Sequence, residues 1–131
     1  MKIKYKDQYG TEILDVFGIY WGVREGGTKK GEAFTYFYAL YGTTEVSFMV
    51  YDSKEVEVID PRLEGEWVYD GGVSINGMFY APLIQEQLLD DVIDRDPEAI
   101  KKFLQFAIKD GLLDAELYKD ALWFKCDIYH T

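Results

Sequence analysis

The chain has 131 residues, of which 24 are acidic and 14 basic, so its formal net charge is −10. This length favours a single domain over residues 1–131, with a core that needs neither a metal nor a disulfide. No apolar run approaches the roughly 18 residues that cross a bilayer, and the negative charge repels the phosphates of nucleic acids. We therefore expect no membrane insertion, no direct nucleic-acid binding and a basic partner.

Two features of the sequence indicate a cytoplasmic protein. Cys126 is the only cysteine, which excludes an intramolecular disulfide and a multi-cysteine zinc site. Residues 1–7 alternate lysines with apolar side chains and no apolar h-region follows them, so we predict a strand there and no signal peptide.

The first half of the chain has the period of two that is typical of β-strands. The predicted strands are residues 1–7, Ile13–Val23, Phe34–Tyr41, 46–51 and 55–58. Gly18 and Gly22 are expected bulge or twist points in the second strand, and the polar, glycine-rich residues 24–32 predict a hairpin tip. The aromatic strand Phe34–Tyr41 is either covered on both faces or presents aromatic rings to a ligand.

The second half changes to a helical period. Pro82 begins a predicted helix that runs to residue 93, and Asp96 caps a second one that ends at Gly111. A short helix capped by Asp114 and a final strand, Leu122–Ile128, complete the prediction. The fold class is therefore α+β: a mainly antiparallel sheet, made of an N-terminal meander and a C-terminal strand, with two or three helices on one face.

No motif in the chain names a reaction. Residues 26–31 lack the Walker spacing, and Cys126 with His130 supplies two zinc ligands without a second pair. Residues 90–96 lack the glycine and the terminal glutamate of a calcium loop, and a single histidine makes a nucleophilic triad improbable. We expect no catalytic residue, no metal and no cofactor, although paired carboxylates of the glycosidase type stay open as an alternative.

Acidic residues gather in two segments. Residues 86–98 hold six acids and one base, and residues 55–70 hold another six acids and one base. Within the predicted helix from Pro82, Asp90, Asp91 and Asp94 fall toward the C-terminal end, where the macrodipole disfavours anions. A helix selected only for stability would place lysines there, so we predict that these three aspartates bind a partner.

Aromatic residues make up 17% of the chain, and tyrosine and tryptophan are enriched at protein interfaces. Most of them are expected to fill the core. One segment, predicted as a loop or an edge strand and called here the acidic loop, combines aromatics with acids. It is a second predicted partner-binding site: Glu64, Glu66, Trp67, Tyr69 and Asp70. We expect Trp67 and Tyr69 to be exposed.

These features favour a non-catalytic, acidic protein that inhibits a basic partner, such as an enzyme that handles nucleic acid. In size, charge and composition the chain resembles bacterial immunity proteins that neutralise secreted toxins, and phage inhibitors of host defence enzymes. That resemblance carries no motif and therefore assigns no residues. Two alternatives stay open: a small enzyme or ligand-binding domain with an aromatic pocket, and a subunit of an oligomeric assembly. The sequence leaves the oligomeric state open.

Overall fold

The computed structural model describes residues 1–72 and 75–121 and confirms the α+β class. An antiparallel sheet has seven strands: β1 (Lys2–Asp7), β2 (Gly10–Val23), β3 (Ala33–Tyr41), β4 (Ser47–Asp52), β5 (Val56–Asp60), β6 (Trp67–Tyr69) and β7 (Ile75–Tyr80). Helices α1 (Ala81–Gln85), α2 (Leu89–Ile93) and α3 (Pro97–Lys109) follow, and residues 115–121 are helical. The predicted final strand, with Cys126 and His130, lies outside the described residues.

The described chain divides into two compact units. A sheet unit comprises Met1–Leu40 and Met49–Tyr80, and a helical unit comprises Tyr41–Phe48 with the chain from Ala81 on. The expectation of one domain over residues 1–131 stays a prediction.

The long strand β2 organises the sheet. The strand order is β4-β3-β2-β1-β5, and β7 pairs with β2 on one side and β6 on the other. The first half of β2 pairs with β1 and its second half with β3 and β7. Its register with β3 shifts between Val16 and Gly18. This irregularity adjoins Gly18, one of the two glycines at which a bulge or twist was expected.

One face of the sheet unit carries its core. The core cluster consists of Ile3, Leu14, Val16, Phe37, Ala39 and Tyr51, with Met1, Tyr5, Ile19, Val56 and Trp67 packed against it. The period-two pattern of β4 predicted Val50 on the apolar face, but Val50 is 47% exposed and Tyr51 is buried. The Tyr51 ring lies 5.0 Å from the Tyr5 ring, so the residue that faces the core here makes an aromatic contact with β1.

In the helical unit, α3 forms as predicted. The Asp96 side chain accepts a hydrogen bond from the Ala99 N–H at 3.0 Å, and Pro97 occupies the first turn. The buried stripe of α3 comprises Ala99, Ile100, Phe103, Leu104 and Ala107, and the Phe103 ring meets Phe48 edge-on at 5.2 Å. Asp114 accepts a bond from the Glu116 N–H at 2.9 Å, as expected of the cap of the next helix.

The helix predicted from Pro82 to residue 93 is wrong, because the structure has two short helices there. Gln87 adopts a left-handed φ of 55°. The Gln87 N–H donates to the carbonyl of Ile84 and the Leu88 N–H to that of Leu83, which is the Schellman pattern that ends a helix. Glutamine is a good helix former, so the residue type at position 87 did not indicate that a helix ends there.

Strand β7 was not predicted at all. It is short, it contains Gly77, and it pairs with the second half of β2 in the interior of the sheet. No helix in the described part of the chain is long and apolar enough to cross a membrane.

Candidate functional site

The acidic segment, defined here as residues 86–98, buries Leu88 and Val92 and exposes its acidic residues. Its six carboxylates belong to exposed residues: Glu86, Asp90, Asp91, Asp94, Asp96 and Glu98. Ion pairs in the described part of the chain engage Asp15, Glu32, Glu57, Asp60, Glu64 and Glu116. None of these pairs involves a carboxylate of the acidic segment, so the segment presents its charge to solvent.

The break at Gln87 changes the electrostatic argument for Asp90 and Asp91. Both residues lie in the first turn of α2, not at the end of a longer helix. Anions are favoured at a helix N-terminus, so local electrostatics explains them. The prediction that these positions oppose the helix dipole is therefore wrong. A binding role must rest on their exposure and on the absence of an ion pair to either of them among the described residues.

Asp94, Arg95 and Asp96 connect α2 to α3. Asp94 is the C-cap of α2, Arg95 adopts a left-handed φ of 62°, and Asp96 caps α3. The Asp96 carboxylate accepts the capping bond. Asp94 is therefore the aspartate of this connection whose side chain accepts no described hydrogen bond.

The structure separates the residues of the acidic loop by their surroundings. Trp67 is half-buried, packs against the core cluster and donates from Nε1 to the Glu64 carbonyl at 2.9 Å. Its expected exposure is therefore wrong, because the indole covers the sheet core. Tyr69 is 60% exposed, as expected, and its hydroxyl donates to Oδ1 of Asn76.

The three acids of the loop also differ. The Glu64 Oε1 atom lies 3.8 Å from the Arg62 guanidinium, which binds Asp60 more closely at 2.8 Å. This bidentate contact with Arg62 holds the pKa of Asp60 well below its usual range. Glu66 and Asp70 are exposed, and no described residue forms an ion pair with either.

The two groups of predicted site residues lie in different units. Asp90, Asp91 and Asp94 belong to the helical unit, whereas the whole acidic loop belongs to the sheet unit. Each group is therefore a candidate surface of its own unit.

A third surface, the aromatic strip, consists of Tyr20, Phe34, Tyr36 and Tyr38. The sequence marked the strand Phe34–Tyr41 as a candidate but did not single out Tyr20. In the register of β2 and β3, Tyr20 lies opposite Tyr36, while Gly18 and Gly22 lie opposite Tyr38 and Phe34. Cross-strand partners share a face, so these rings project from the face opposite Phe37. The strip is the face of Phe34–Tyr41 for which the sequence left a ligand-binding role open, and that role stays a prediction.

Tyr20 is the hub of the strip. Its ring stacks on Tyr36 at 5.2 Å and 23°, and it contacts Tyr38 at 5.2 Å and Phe34 at 6.4 Å. All four rings are half-buried. Burial, reinforced by Tyr38 and Tyr36, raises the pKa of the Tyr20 hydroxyl to about 12. The Tyr20 hydroxyl therefore stays protonated at neutral pH, and mutual contact holds the four rings in place.

One arginine of the chain already lies on this strip. The Arg24 guanidinium carbon is 5.5 Å from the centroid of Phe34, and its Nη2 donates to the Tyr36 hydroxyl at 2.9 Å. Arg24 Nε is buried and has no described hydrogen-bond partner. Near this end of the strip, Glu32 pairs with Lys54 at 2.7 Å. The strip thus accepts a guanidinium through one ring face and one phenol oxygen.

A depression in the helical unit has no general base among its described lining residues. It has a volume of about 210 Å³, and its described lining consists of Lys102, Gln105, Phe106 and Lys109 of α3. These side chains include no carboxylate or imidazole that could act as a general base. Among residues 1–72 and 75–121, no cluster of three histidine, cysteine or acidic side chains could hold a metal ion.

Comparisons with known protein families, with characterised proteins and with solved structures found no match to this chain.

Proposed function

We propose that the chain is a non-catalytic binding protein that inhibits a basic partner protein. The observation that carries this proposal is the acidic segment, whose carboxylates are exposed and form no described ion pair. A cationic surface on another macromolecule is the natural counterpart of such a segment.

The mechanism follows from charge. An acidic surface attracts a basic protein over roughly a Debye length, about 10 Å at 0.1 M salt, and steering of this kind can raise association rates to about 10⁸ M⁻¹s⁻¹. If the partner binds nucleic acid, the carboxylates occupy the site that phosphates would use. Immunity proteins against bacterial toxins and phage inhibitors of defence enzymes act as inhibitors of this general kind, and we place this protein with them, in the cytoplasm.

The test is capture of partners from the native cell on immobilised protein, elution by a salt gradient, and an activity assay of the recovered protein with and without the inhibitor. The test variant is Asp90→Lys with Asp91→Lys. The matched control is Glu12→Lys with Glu25→Lys, because both glutamates are exposed, lie in the sheet unit and have no described ion pair. Each double variant changes the net charge equally.

The proposal expects recovery of a basic protein whose activity falls when this protein is added. The Asp90 and Asp91 reversal should abolish capture. The control reversal should weaken capture only by the amount that the smaller net charge explains. Equal loss in both variants would show that net charge alone is recognised. Unchanged capture by the Asp90 and Asp91 variant would remove the acidic segment from the interface and overturn the proposal.

A further inference from the structure

We propose that the free edge of β5 is the docking site for an extended, basic segment of the partner protein, which pairs with β5 as an added strand. The inference rests on the proposed function for the basic character of the partner, but its geometry comes from the sheet unit. It deepens that function by naming the kind of segment that the partner offers.

Strand β5 has a neighbour on one side only. It lies at one end of the strand order, where β1 pairs with it from Tyr5 and Val56 to Lys2 and Asp60. Among residues 1–72 and 75–121, no backbone hydrogen bond joins its other side to another strand or loop. A free strand edge of this kind is a template for pairing with another chain.

The two end strands of the sheet, β4 and β5, border an opening. The three residues Ser53–Glu55 join Asp52 to Val56, so at most about 14 Å of chain connects the two strands. In a flat sheet they would lie four strand spacings apart, about 19 Å. The sheet therefore curves and brings β4 toward β5, yet the two strands do not pair.

Apolar side chains on both sides of this opening reach solvent. Met49 and Val50 of β4 are 40% and 47% exposed. Val58 and Ile59 of β5 are each 41% exposed. Val58 lies opposite Ile3, which is fully buried, and cross-strand partners share a face. Val58 therefore continues the core face and is left uncovered at the edge, where an added strand would bury it.

Acidic side chains beside β5 select a basic occupant. Glu57 lies opposite Lys4, on the face away from the core. Its Oε2 atom is 3.8 Å from Lys4 Nζ and its side chain is 69% exposed, so it also meets solvent, where a second cation can approach. Glu55, immediately before β5, is exposed and has no described ion pair. Opposite charges on neighbouring strands stabilise their pairing.

The faces of β5 define the sequence of the segment. Val56 and Val58 lie opposite Tyr5 and Ile3 on the core face, and Glu57 lies on the other face. A strand that pairs with β5 alternates its side chains in the same way. The expected segment therefore places a lysine or arginine between two apolar residues.

Charge argues against a second copy of this chain as the occupant. Pairing two β5 edges would bring together two proteins of net charge −10 each. The cations closest to β5 in sequence, Lys54 and Arg62, already pair with Glu32 at 2.7 Å and Asp60 at 2.8 Å. A basic segment meets no such repulsion.

The experiment adds the acetylated peptide amide Lys-Val-Lys-Val-Lys to the full chain and follows the backbone amides by NMR, through chemical shifts and hydrogen exchange. In the free protein, the β5 amides that face away from β1 should exchange freely. The peptide should shift and protect them in a saturable way. The same peptide methylated at its backbone nitrogens keeps its charge but cannot donate, so it should bind at least about tenfold more weakly. The peptide Glu-Val-Glu-Val-Glu is the control for charge.

Variants assign the contact to β5. Glu57→Lys puts like charges opposite each other and should weaken peptide binding at least about fivefold. Its matched control is Glu12→Lys, because Glu12 is exposed and lies on β2, on the other side of β1. Val58→Thr should weaken binding about threefold through lost apolar burial, and Val23→Thr, at a valine of β2 that is 51% exposed, is its control. The controls should change binding less than about twofold.

Several results would overturn the inference. Protection of the outward β5 amides in the free protein would show that the edge is already covered. Equal binding of the methylated or the glutamate peptide, protection of β4 in place of β5, or unchanged affinity in both test variants would also contradict it. Dimers in sedimentation, with β5 protection that rises with protein concentration, would assign the edge to a second copy.

The outcome is separable from that of the proposed function. Capture of an inhibited basic partner through Asp90 and Asp91, with no peptide bound at β5, overturns the inference alone. Specific peptide binding at β5 with no basic partner recovered supports the edge as a docking site and counts against the proposed function.

Discussion

Three residues in left-handed conformations end helices of the helical unit, and only one of them is glycine. Gln87, Arg95 and Gly111 have φ values of 55°, 62° and 75°. In each case the N–H groups of that residue and of the next one donate the two backbone hydrogen bonds that define a Schellman motif. Only Gly111 was identifiable from the sequence, since glycine is the residue that adopts this conformation without steric cost.

Replacing Gln87 with glycine should therefore stabilise the protein. A side chain with a Cβ in this conformation costs energy that glycine avoids, and glycine loses part of that gain through its greater freedom when unfolded. We expect the free energy of unfolding in urea to rise by about 0.5 to 1 kcal/mol for Gln87→Gly. Gln87→Ala keeps the Cβ and serves as the control; equal stabilisation by alanine would contradict the argument.

The Tyr20 hydroxyl should make stability depend on alkaline pH. Because its pKa is about 12 in the folded protein and near 10 in an unfolded chain, the folded state keeps its proton longer. The contribution of Tyr20 to the free energy of unfolding is thus fully present below pH of about 10 and is lost as pH rises from about 10 to about 12. Tyr20→Phe should flatten this fall, measured by urea unfolding at several pH values. A parallel fall in the variant would show that Tyr20 is not the group responsible.

At the scale of elements, the pairing of β2 with β7 depends on a glycine that leaves room for a ring. A Cβ added at Gly18 would lie 2.7 Å from Cδ1 of Phe79 and 3.1 Å from Cδ2 of Tyr38. Since Phe79 is buried, its ring cannot swing into solvent without losing its contacts. Both the sheet and the aromatic strip therefore depend on Gly18.

Gly18→Ala should destabilise the protein by about 1 to 3 kcal/mol, the usual cost of overpacking a buried site. Gly26→Ala is the matched control, because a Cβ there meets no atom within 4 Å and should change stability little. Urea unfolding of both variants measures the difference. If Gly18→Ala were as stable as the control, β7 would have to lie farther from β2 than the structure places it.

Local chemistry explains which elements the sequence could predict. Asp96, Pro97 and Gly111 each have a position-specific role at a helix end, so α3 was predicted with both its boundaries. The break at Gln87 and the strand β7 have no such local signal, because one depends on tertiary context and the other on pairing with a distant strand. The aromatic strip was half predicted: the sequence marked Phe34–Tyr41 as a candidate, but only the register with β2 adds Tyr20.

For the whole molecule, the excess of carboxylates is a cost to folding that a binding role would explain. Ion pairs in the described residues lie outside the acidic segment, and most are solvent-exposed pairs that contribute little to stability. Repulsion among the remaining acids opposes the compact state. The described ion pairs therefore offset little of the repulsion that a net charge of −10 produces.

This balance predicts that salt stabilises the protein. Raising sodium chloride from about 0.02 to about 0.3 M shortens the Debye length from about 20 to about 6 Å and screens the repulsion, so the free energy of unfolding in urea should rise by on the order of 0.5 kcal/mol. The Asp90→Lys and Asp91→Lys double variant has a smaller negative charge and should gain less. If the wild-type protein lost stability as salt was added, its attractive ion pairs would outweigh the repulsion between its acids. The acidic segment would then not destabilise the folded state, and a partner could not gain binding energy by removing that repulsion.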